Sequence, residues 1–153
     1  MHMNGFFQNA YVTRDLDKAV ADLQKNHGIG EVMPIDFATD VITPHGTGPV
    51  RAKVALVWVG DVQLELIQPT EGFSQIYSDA LPDDDSLRFH HVGMRVFDMA
   101  ALRAEAEAKG WPVVFQGGGE GFAFTYIDMR ATLGHYLEYV EIRQDMWVAT
   151  GGR

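Results

Sequence analysis

Residues 89–98 read FHHVGMRVFD, a stretch that predicts a β-strand running into a helix cap. Successive side chains of a strand point to opposite faces of the sheet. His91 and Arg95 therefore share one face of this strand, whereas His90 and Met94 share the other. We predict that the face with Met94 is apolar and that the face with His91 carries the chemistry.

The residues that follow predict a capped helix, and the same plan occurs near the N-terminus. Asp98 is a favourable N-cap residue, and the strong helix formers after it end at Gly110. Asp15 opens a second helical pattern of apolar residues. Gln8 stands seven residues before Asp15, as His91 stands seven residues before Asp98. This equal spacing indicates an internal repeat.

Each half of the chain also closes with a similar strand. VQLELI at residues 62–67 resembles HYLEYV at residues 135–140, which places Glu65 and Glu138 at matching positions. Two copies of one strand-helix-strands module are the simplest interpretation. We therefore predict an α+β fold in which the two modules pair edge to edge into one curved mixed sheet.

The chain is interpreted as a single domain, 1–153, with four parts. These are a first module (1–68), a linker (69–88), a second module (89–143) and a C-terminal tail (144–153). The linker contains an acidic, solvated run and no residue that predicts catalysis. The apolar residues of the tail are expected to pack on the body or on a second subunit, and we expect a homodimer.

Two glycine-rich stretches predict irregular structure. Residues 39–49 contain two prolines and two glycines, which predict a loop of the kind that covers or lines sites. Residues 117–119 are all glycine. No Lys followed by Ser or Thr comes after them, so a hairpin or a mobile lid is favoured over a phosphate-binding loop.

Composition excludes several classes of function. The 153 residues include no cysteine, which excludes disulfides, thiolate metal sites and a cysteine nucleophile, and favours a reducing cytoplasm. The formal net charge of −9, without a cluster of Lys or Arg, argues against nucleic acid or an anionic membrane as partner. The longest apolar run, Val54 to Val59, is far shorter than the roughly 20 residues of a membrane helix. We expect a cytoplasmic protein that acts on a small molecule.

Four donor side chains occupy matching places in the repeat: Gln8, Glu65, His91 and Glu138. If the modules pair as predicted, the four converge, and their nitrogen and oxygen atoms suit zinc, nickel, cobalt, manganese or iron. Two carboxylates balance the charge of a divalent cation, and without one they raise each other's pKa. The competing interpretation places each side chain on a solvated face or in a structural hydrogen bond. Spacing alone leaves the two interpretations balanced.

A family resemblance covers nearly the whole chain. Its motifs are Gln8 followed by RDLDKA, LEL around Glu65, HHVG at residues 90–93 and GHYLEY around Glu138. In this order they resemble the vicinal oxygen chelate superfamily, which includes lactoylglutathione lyase (glyoxalase), methylmalonyl-CoA epimerase, extradiol dioxygenases and bleomycin-resistance proteins. The resemblance implies paired βαβββ modules around a metal-binding cavity, with Gln8, Glu65, His91 and Glu138 as metal ligands.

Within the superfamily the resemblance points to two branches. The short chain and the helix starts look most like methylmalonyl-CoA epimerase, whose pattern has His at the position of Gln8 and Gln at that of Glu65. The set Gln, Glu, His, Glu is similar to the zinc-type lactoylglutathione lyases. Extradiol dioxygenases use two His and one carboxylate on iron, so Gln8 and Glu65 count against that branch and against iron. A metal-free small-molecule-binding or resistance protein of the same fold is the alternative.

The resemblance implies a metal-dependent epimerase, isomerase or lyase that removes a proton next to a metal-polarised carbonyl. Glu138 is the predicted base, and Glu65 is predicted to return the proton. Arg95 is a candidate anchor for a substrate carboxylate or phosphate, and Tyr126 and His135 are further candidate substrate contacts. The implied substrate is a small molecule such as a thioester or carboxylate, and the implied cofactor is divalent zinc, nickel, cobalt or manganese.

Overall fold

The computed structural model describes residues 3–153 and contains, within them, eight β-strands and five helices. The strands are β1 (Phe6–Val12), β2 (Met33–Thr43), β3 (Gly46–Val59), β4 (Val62–Gly72), β5 (Arg88–Arg95), β6 (Val113–Gly119), β7 (Phe122–Met129) and β8 (His135–Ile142). The helices are α1 (Leu16–His27), α2 (Gln75–Ser78), α3 (Met99–Lys109), α4 (Arg130–Leu133) and α5 (Gln144–Ala149). None of these helices has the length and apolar character needed to cross a membrane.

The order of the elements repeats once along the chain, which confirms the predicted α+β fold. The first module is β1-α1-β2-β3-β4 and the second is β5-α3-β6-β7-β8, with α2 between them. The strands form one closed barrel in the order β1-β4-β3-β2-β6-β7-β8-β5. The modules meet at two antiparallel seams, β1 with β5 and β2 with β6, and each module contains one parallel pair. The mixed sheet therefore encloses its interior within a single chain.

Both long helices begin after the predicted N-cap residues, and α3 ends at the predicted Gly110. The carboxylate of Asp15 accepts a hydrogen bond of 3.0 Å from the backbone N–H of Lys18, and that of Asp98 accepts one of 2.9 Å from Ala101. Each helix ends at a glycine in the left-handed conformation, with φ of 66° for α1 and 65° for α3. The two helices pack on the outside of the barrel, which leaves its interior to the strand side chains.

Residues 39–49 form two paired strands, so the loop predicted there is wrong. β2 runs to Thr43 and β3 starts at Gly46, and backbone pairing continues through the whole stretch. Gly46 and Gly48 leave room for the ring of Phe73, which would lie 2.8 Å from a Cβ at either position. Glycines that suggest a loop by composition therefore serve the packing of an aromatic ring against a strand.

The triple glycine lies at the end of β6 and leads directly into β7, which confirms the hairpin. Gly117 pairs with Val41 of β2, where the two modules meet. A Cβ at Gly117 would lie 2.7 Å from the carbonyl oxygen of Asp40 and 2.9 Å from the ring of Phe124. The absence of a side chain at Gly117 thus allows β2 and β6 to close the barrel.

Gly117→Ala is expected to lower the free energy of unfolding by about 1–3 kcal/mol, because the added Cβ meets backbone and a buried ring. Urea denaturation followed by circular dichroism measures this loss. Gly30→Ala is the matched control: nothing lies within 4 Å of the added Cβ. The control should change stability by no more than about 0.5 kcal/mol. Equal stability of the two variants would contradict the close contact at Gly117.

Candidate active site

The register of four strands brings Glu65, His91 and Glu138 together inside the barrel. Glu65 of β4 and His91 of β5 both pair with Ala10 of β1, from opposite sides. Glu138 of β8 pairs with Gly93, which lies two residues beyond His91 and therefore on the same strand face. Each module thus supplies one carboxylate, and both carboxylates lie beside the imidazole.

The Nε2 atom of His91 lies between the two carboxylates. It is 3.1 Å from Oε2 of Glu138 and 3.3 Å from Oε2 of Glu65. Candidate ligand atoms of the three residues lie within 4.8 Å of one another. His91 is fully buried, and Glu138 is 9% exposed. A single N–H cannot satisfy both oxygens, and Oε2 of Glu65 is left buried without a hydrogen-bond partner.

Gln8 lies next to this group on β1, paired with Gly93. Its Nε2 donates a hydrogen bond of 2.8 Å to Oε1 of Gln63. This bond orients the amide and leaves Oε1 of Gln8 buried without a hydrogen-bond partner. A Cβ at Gly93 would lie 2.7 Å from that oxygen, so the glycine makes room for it. Gln63 was not predicted as part of the site, although it stands two residues before Glu65 and so faces the same way.

The side chain of His90 also points inward, against the predicted alternation. Tyr11 pairs with Phe89 and Ala10 pairs with His91, so His90 is the extra residue of a β-bulge. The bulge brings the ring of His90 against that of His91, with 2.9 Å between their Nδ1 atoms. The prediction that His90 faces away from His91 was wrong because strict alternation assumes an unbroken register.

His90 determines which nitrogen of neutral His91 is free. The Nε2 of His90 lies 2.8 Å from the backbone oxygen of Ile76, which can only accept, so this nitrogen carries the proton. Burial, and then the charge of His91, lowers the pKa of His90 to about 3, so the ring is neutral and its Nδ1 accepts from Nδ1–H of His91. Neutral His91 therefore presents the lone pair of Nε2 to the carboxylates, as a metal ligand must.

The two carboxylates favour a cation at Nε2 of His91. Burial lowers the pKa of His91, but the hydrogen bond with Glu138 and the nearby carboxylates of Glu138 and Glu65 outweigh burial and raise it to about 9. Burial raises the pKa of Glu65, and the charge of Glu138 adds to this rise against the opposing effect of His91. The centre therefore carries excess negative charge, which a proton or a divalent cation can balance.

The affinity for a divalent metal is expected to rise with pH. The metal must displace the Nε2 proton of His91, and because the pKa is raised to about 9, the protonated form opposes binding below that value. The affinity for Zn²⁺ should increase about tenfold per pH unit through neutral pH and level off above a pH of about 9. Calorimetry in buffers of different ionisation enthalpy should detect about one proton released per Zn²⁺. An affinity that does not depend on pH would exclude binding through this nitrogen.

Two buried tyrosines lie beside the imidazoles. The hydroxyls of Tyr77 and Tyr126 are 2.8 Å apart, and the ring of Tyr126 meets that of His91 edge-on at 4.9 Å between centroids. Burial, and then the charge of Glu138, raises the pKa of both hydroxyls well above the ordinary value, so both stay protonated and one donates a hydrogen bond to the other. Tyr77 comes from the linker, where no functional residue was predicted, because only the folded chain brings α2 to the cavity.

Arg95 and His135 do not line the cavity. The guanidinium of Arg95 lies 4.3 Å from the ring centroid of Trp147 and donates a hydrogen bond of 2.9 Å to Gln144. His135 donates from Nδ1 to the backbone oxygen of Tyr136 at 2.8 Å. Neither side chain is directed at the two carboxylates, so we assign neither a contact with substrate.

A cavity of about 400 Å³ opens beside Glu65 and Glu138. The wall also includes the polar residues Gln8, Gln63, Tyr77, Tyr126 and Thr150, and the rest is aliphatic or aromatic. Ligand sites in proteins commonly have this volume and this mixture of an apolar wall with a few polar groups. The cavity therefore suits a small molecule held next to the paired carboxylates.

The donor set fits a divalent cation. The oxygens Oε1 of Gln8 and Oε2 of Glu65 are buried and have no hydrogen-bond partner. His91 and Glu138 complete a set of imidazole, carboxylate and amide ligands, which suits zinc, nickel, cobalt and manganese. All four side chains belong to one chain, so this set does not depend on a second subunit.

A barrel of two βαβββ modules with a His and two Glu at its centre defines a recognisable class of protein. The family model described as the glyoxalase/bleomycin resistance protein/dioxygenase superfamily matches residues 7–127. The chain belongs to this superfamily, and the resemblance seen in the sequence is confirmed. No curated protein sequence matches the chain at a significant level.

Solved structures of the same fold include methylmalonyl-CoA epimerases. The enzyme from Mycobacterium tuberculosis is similar with a TM-score of 0.64 and 19% identity, over 97% of each chain. A variant of the Streptomyces coelicolor enzyme in complex with 2-nitronate-propionyl-CoA gives 0.62 and 18%, over 91% of this chain and 97% of that one. A hypothetical protein from Bacillus halodurans gives 0.62 and 13%, over 94% and 97%. At these identities the similarity shows a shared fold.

Proposed function

We propose that this chain is a metal-dependent isomerase or epimerase that moves a proton on the carbon next to a carbonyl. The observation that carries the proposal is the position of Glu65 and Glu138 on either side of Nε2 of His91, at 3.3 and 3.1 Å, in the wall of an apolar cavity. Buried carboxylates are costly unless a cation or a reaction requires them.

Gln8, Glu65, His91 and Glu138 would hold the metal, with zinc, nickel, cobalt or manganese as the candidates. A divalent ion bound there supplies Lewis acidity toward the oxygen of a carbonyl. His90 supports this function by keeping the lone pair of His91 directed at the carboxylates. Gln63 accepts a hydrogen bond from the amide nitrogen of Gln8 and so fixes the orientation of the amide and its oxygen.

The two carboxylates would act on opposite sides of the reacting carbon. Glu138, from β8, removes the proton as general base, and Glu65, from β4, returns a proton as general acid.

Two observations support two different branches of the superfamily for this chain. The similar folds of the methylmalonyl-CoA epimerases support proton transfer next to a thioester carbonyl. The donor set with Gln8 and Glu65 supports a reaction of the lactoylglutathione lyase type. Both reactions remove and return one proton beside a carbonyl, so the same residues carry either. A ring-cleaving dioxygenase is less well supported, because His90 uses both ring nitrogens in hydrogen bonds and only His91 faces the carboxylates.

The experiment is deuterium uptake in D₂O by the zinc- or cobalt-loaded protein. Methylmalonyl-CoA, the hemithioacetal of methylglyoxal and glutathione, and 2-hydroxypropiophenone serve as probes, because each carries an exchangeable proton beside a carbonyl. We expect the loaded protein to introduce deuterium into at least one probe and a chelator to abolish the uptake. Uptake into none of the probes above the level of the chelator-treated protein would overturn the proposal.

A metal-free binding protein is the second candidate, and the mostly apolar wall of the cavity is the observation that favours it. Such a protein would bind an apolar ligand with full affinity in the presence of a chelator and would catalyse no exchange. The buried, unpartnered oxygens of Gln8 and Glu65 favour the metal-dependent function over this one.

A further inference from the structure

The charged side chains in the cavity wall are all acidic. Among residues 3–153, the charged side chains that line the cavity are Glu65 and Glu138, and no Lys or Arg lines it. The other polar groups in the wall are neutral, and the hydroxyls of Tyr77 and Tyr126 already contact each other. The wall therefore offers no cation to a negatively charged substituent of a substrate.

Arg95 does not supply that cation either. Its guanidinium stacks on Trp147, whose ring forms part of the cavity wall, and it is tied to Gln144 by a hydrogen bond of 2.9 Å. The guanidinium is not among the groups that line the cavity. A carboxylate or phosphate inside the cavity would consequently have no positively charged partner from the wall.

Charge balance at the centre leads to the same conclusion. The two carboxylates of Glu65 and Glu138 would neutralise a divalent cation bound between them. A substrate that brought a further negative charge into the apolar cavity would bury that charge unpaired, which is strongly unfavourable.

The wall also has features that favour a ring. Phe37, Phe122, Phe124 and Trp147 line the cavity, and the rings of Phe37 and Phe124 meet edge-on at 5.8 Å between centroids. Aromatic walls of this kind pack well against planar, apolar groups. The volume of about 400 Å³ accommodates a substituent of this size beside the carboxylates.

We propose that the substrate of this chain is an uncharged carbonyl compound with an apolar, ring-sized substituent, rather than an acyl group that carries a carboxylate. This inference rests on the proposed function in taking the cavity as the substrate site and in placing a divalent cation at Glu65 and Glu138. It concerns which molecules bind, so it is measured by binding and does not require turnover.

The test is calorimetric titration of the zinc-loaded protein with a matched pair of ligands. 2-Hydroxypropiophenone is neutral, and its para-carboxy derivative differs by one negative charge on the ring. We expect the neutral compound to bind at least about tenfold more tightly than the carboxylate. Equal affinities, tighter binding of the carboxylate, or binding of neither compound would overturn the inference.

A pair of lysine variants tests whether the preference for the neutral ligand arises in the cavity. Ile35 lines the cavity on β2, whereas Ile42 on the same strand is 55% exposed and does not line it. Ile35→Lys is expected to reduce or reverse the preference for the neutral compound, and Ile42→Lys is expected to leave it unchanged. An equal effect of both lysines would show that the preference arises outside the cavity and would overturn the inference. If Ile35→Lys does not fold, titration of the unmodified chain with the neutral and charged ligands still tests the inference.

Failure of the inference and failure of the proposed function give different results. Tight binding of 2-hydroxypropiophenone without deuterium uptake into any probe would remove the isomerase function and keep the ligand class. Deuterium uptake into methylmalonyl-CoA, together with equal binding of the neutral and charged ligands, would keep the isomerase function and remove the ligand class.

Discussion

Glu138→Gln is expected to lower the rate of epimerisation by about 10³-fold, the usual contribution of a positioned general base. The amide has the shape of the carboxylate but cannot accept the proton. Glu65 stays in place, so the variant should still exchange deuterium into one of the two enantiomers, the one whose proton faces Glu65. The measurement is chiral chromatography of the product combined with mass detection of deuterium.

Glu120→Gln is the control for this prediction, since Glu120 lies in an exposed turn with a side chain that is 96% exposed. Its activity should equal that of the unmodified chain. Metal content has to be measured in both variants, because Glu138 is also a proposed ligand. Epimerisation at the normal rate in a metal-loaded Glu138→Gln variant would exclude Glu138 as the base.

His91→Leu is expected to weaken the binding of Zn²⁺ by more than about 100-fold. Loss of a group that merely supports a ligand costs about 10- to 100-fold in affinity, and loss of the ligand itself should cost more. Leucine fills much of the volume of imidazole, but it has no nitrogen to place between Glu65 and Glu138. Competition with a chromophoric chelator measures the affinity.

His45→Leu is the matched control, because His45 is an exposed histidine in the hairpin between β2 and β3. It should bind Zn²⁺ as the unmodified chain does. Circular dichroism tests whether His91→Leu is folded, and His91→Ala provides a second variant without a ligand atom if it is not. Equal Zn²⁺ affinity in a folded His91 variant and in the control would show that the metal binds elsewhere.

Much of the fold could be predicted because the sequence contains an internal repeat. The seven-residue spacing from Gln8 to Asp15, and from His91 to Asp98, marks in each module where a strand gives way to a capped helix. Both caps are formed as predicted. The same repeat places Glu65 and Glu138 at equivalent positions on parallel strand pairs, which is why their convergence on His91 could be expected.

The features that could not be predicted depend on contacts between distant parts of the chain. The inward turn of His90 requires a bulge in its pairing with β1, and local alternation gives no sign of it. Composition predicts a loop at Gly46 and Gly48, but in the fold the ring of Phe73 occupies the space beside these glycines. Tyr77 becomes part of the cavity only because the linker folds back against Tyr126.

The fold and the chemistry of this chain depend on different parts of the molecule. The closed barrel follows from strand pairing, and family membership from the match over residues 7–127. The chemistry depends instead on a few polar atoms: Nε2 of His91, the carboxylates beside it, and the amide oxygen of Gln8. A superfamily with this fold supports several reactions, so these atoms decide the function.

Metal content per chain is the measurement that tests the four-ligand centre most directly. The untagged protein would be loaded with Zn²⁺, dialysed exhaustively against metal-free buffer and analysed by plasma mass spectrometry. We predict close to one equivalent in the unmodified chain and almost none in a folded Glu65→Gln, Glu138→Gln double variant. No retained metal in the unmodified chain, or the same metal content in both proteins, would contradict a metal held by Gln8, Glu65, His91 and Glu138.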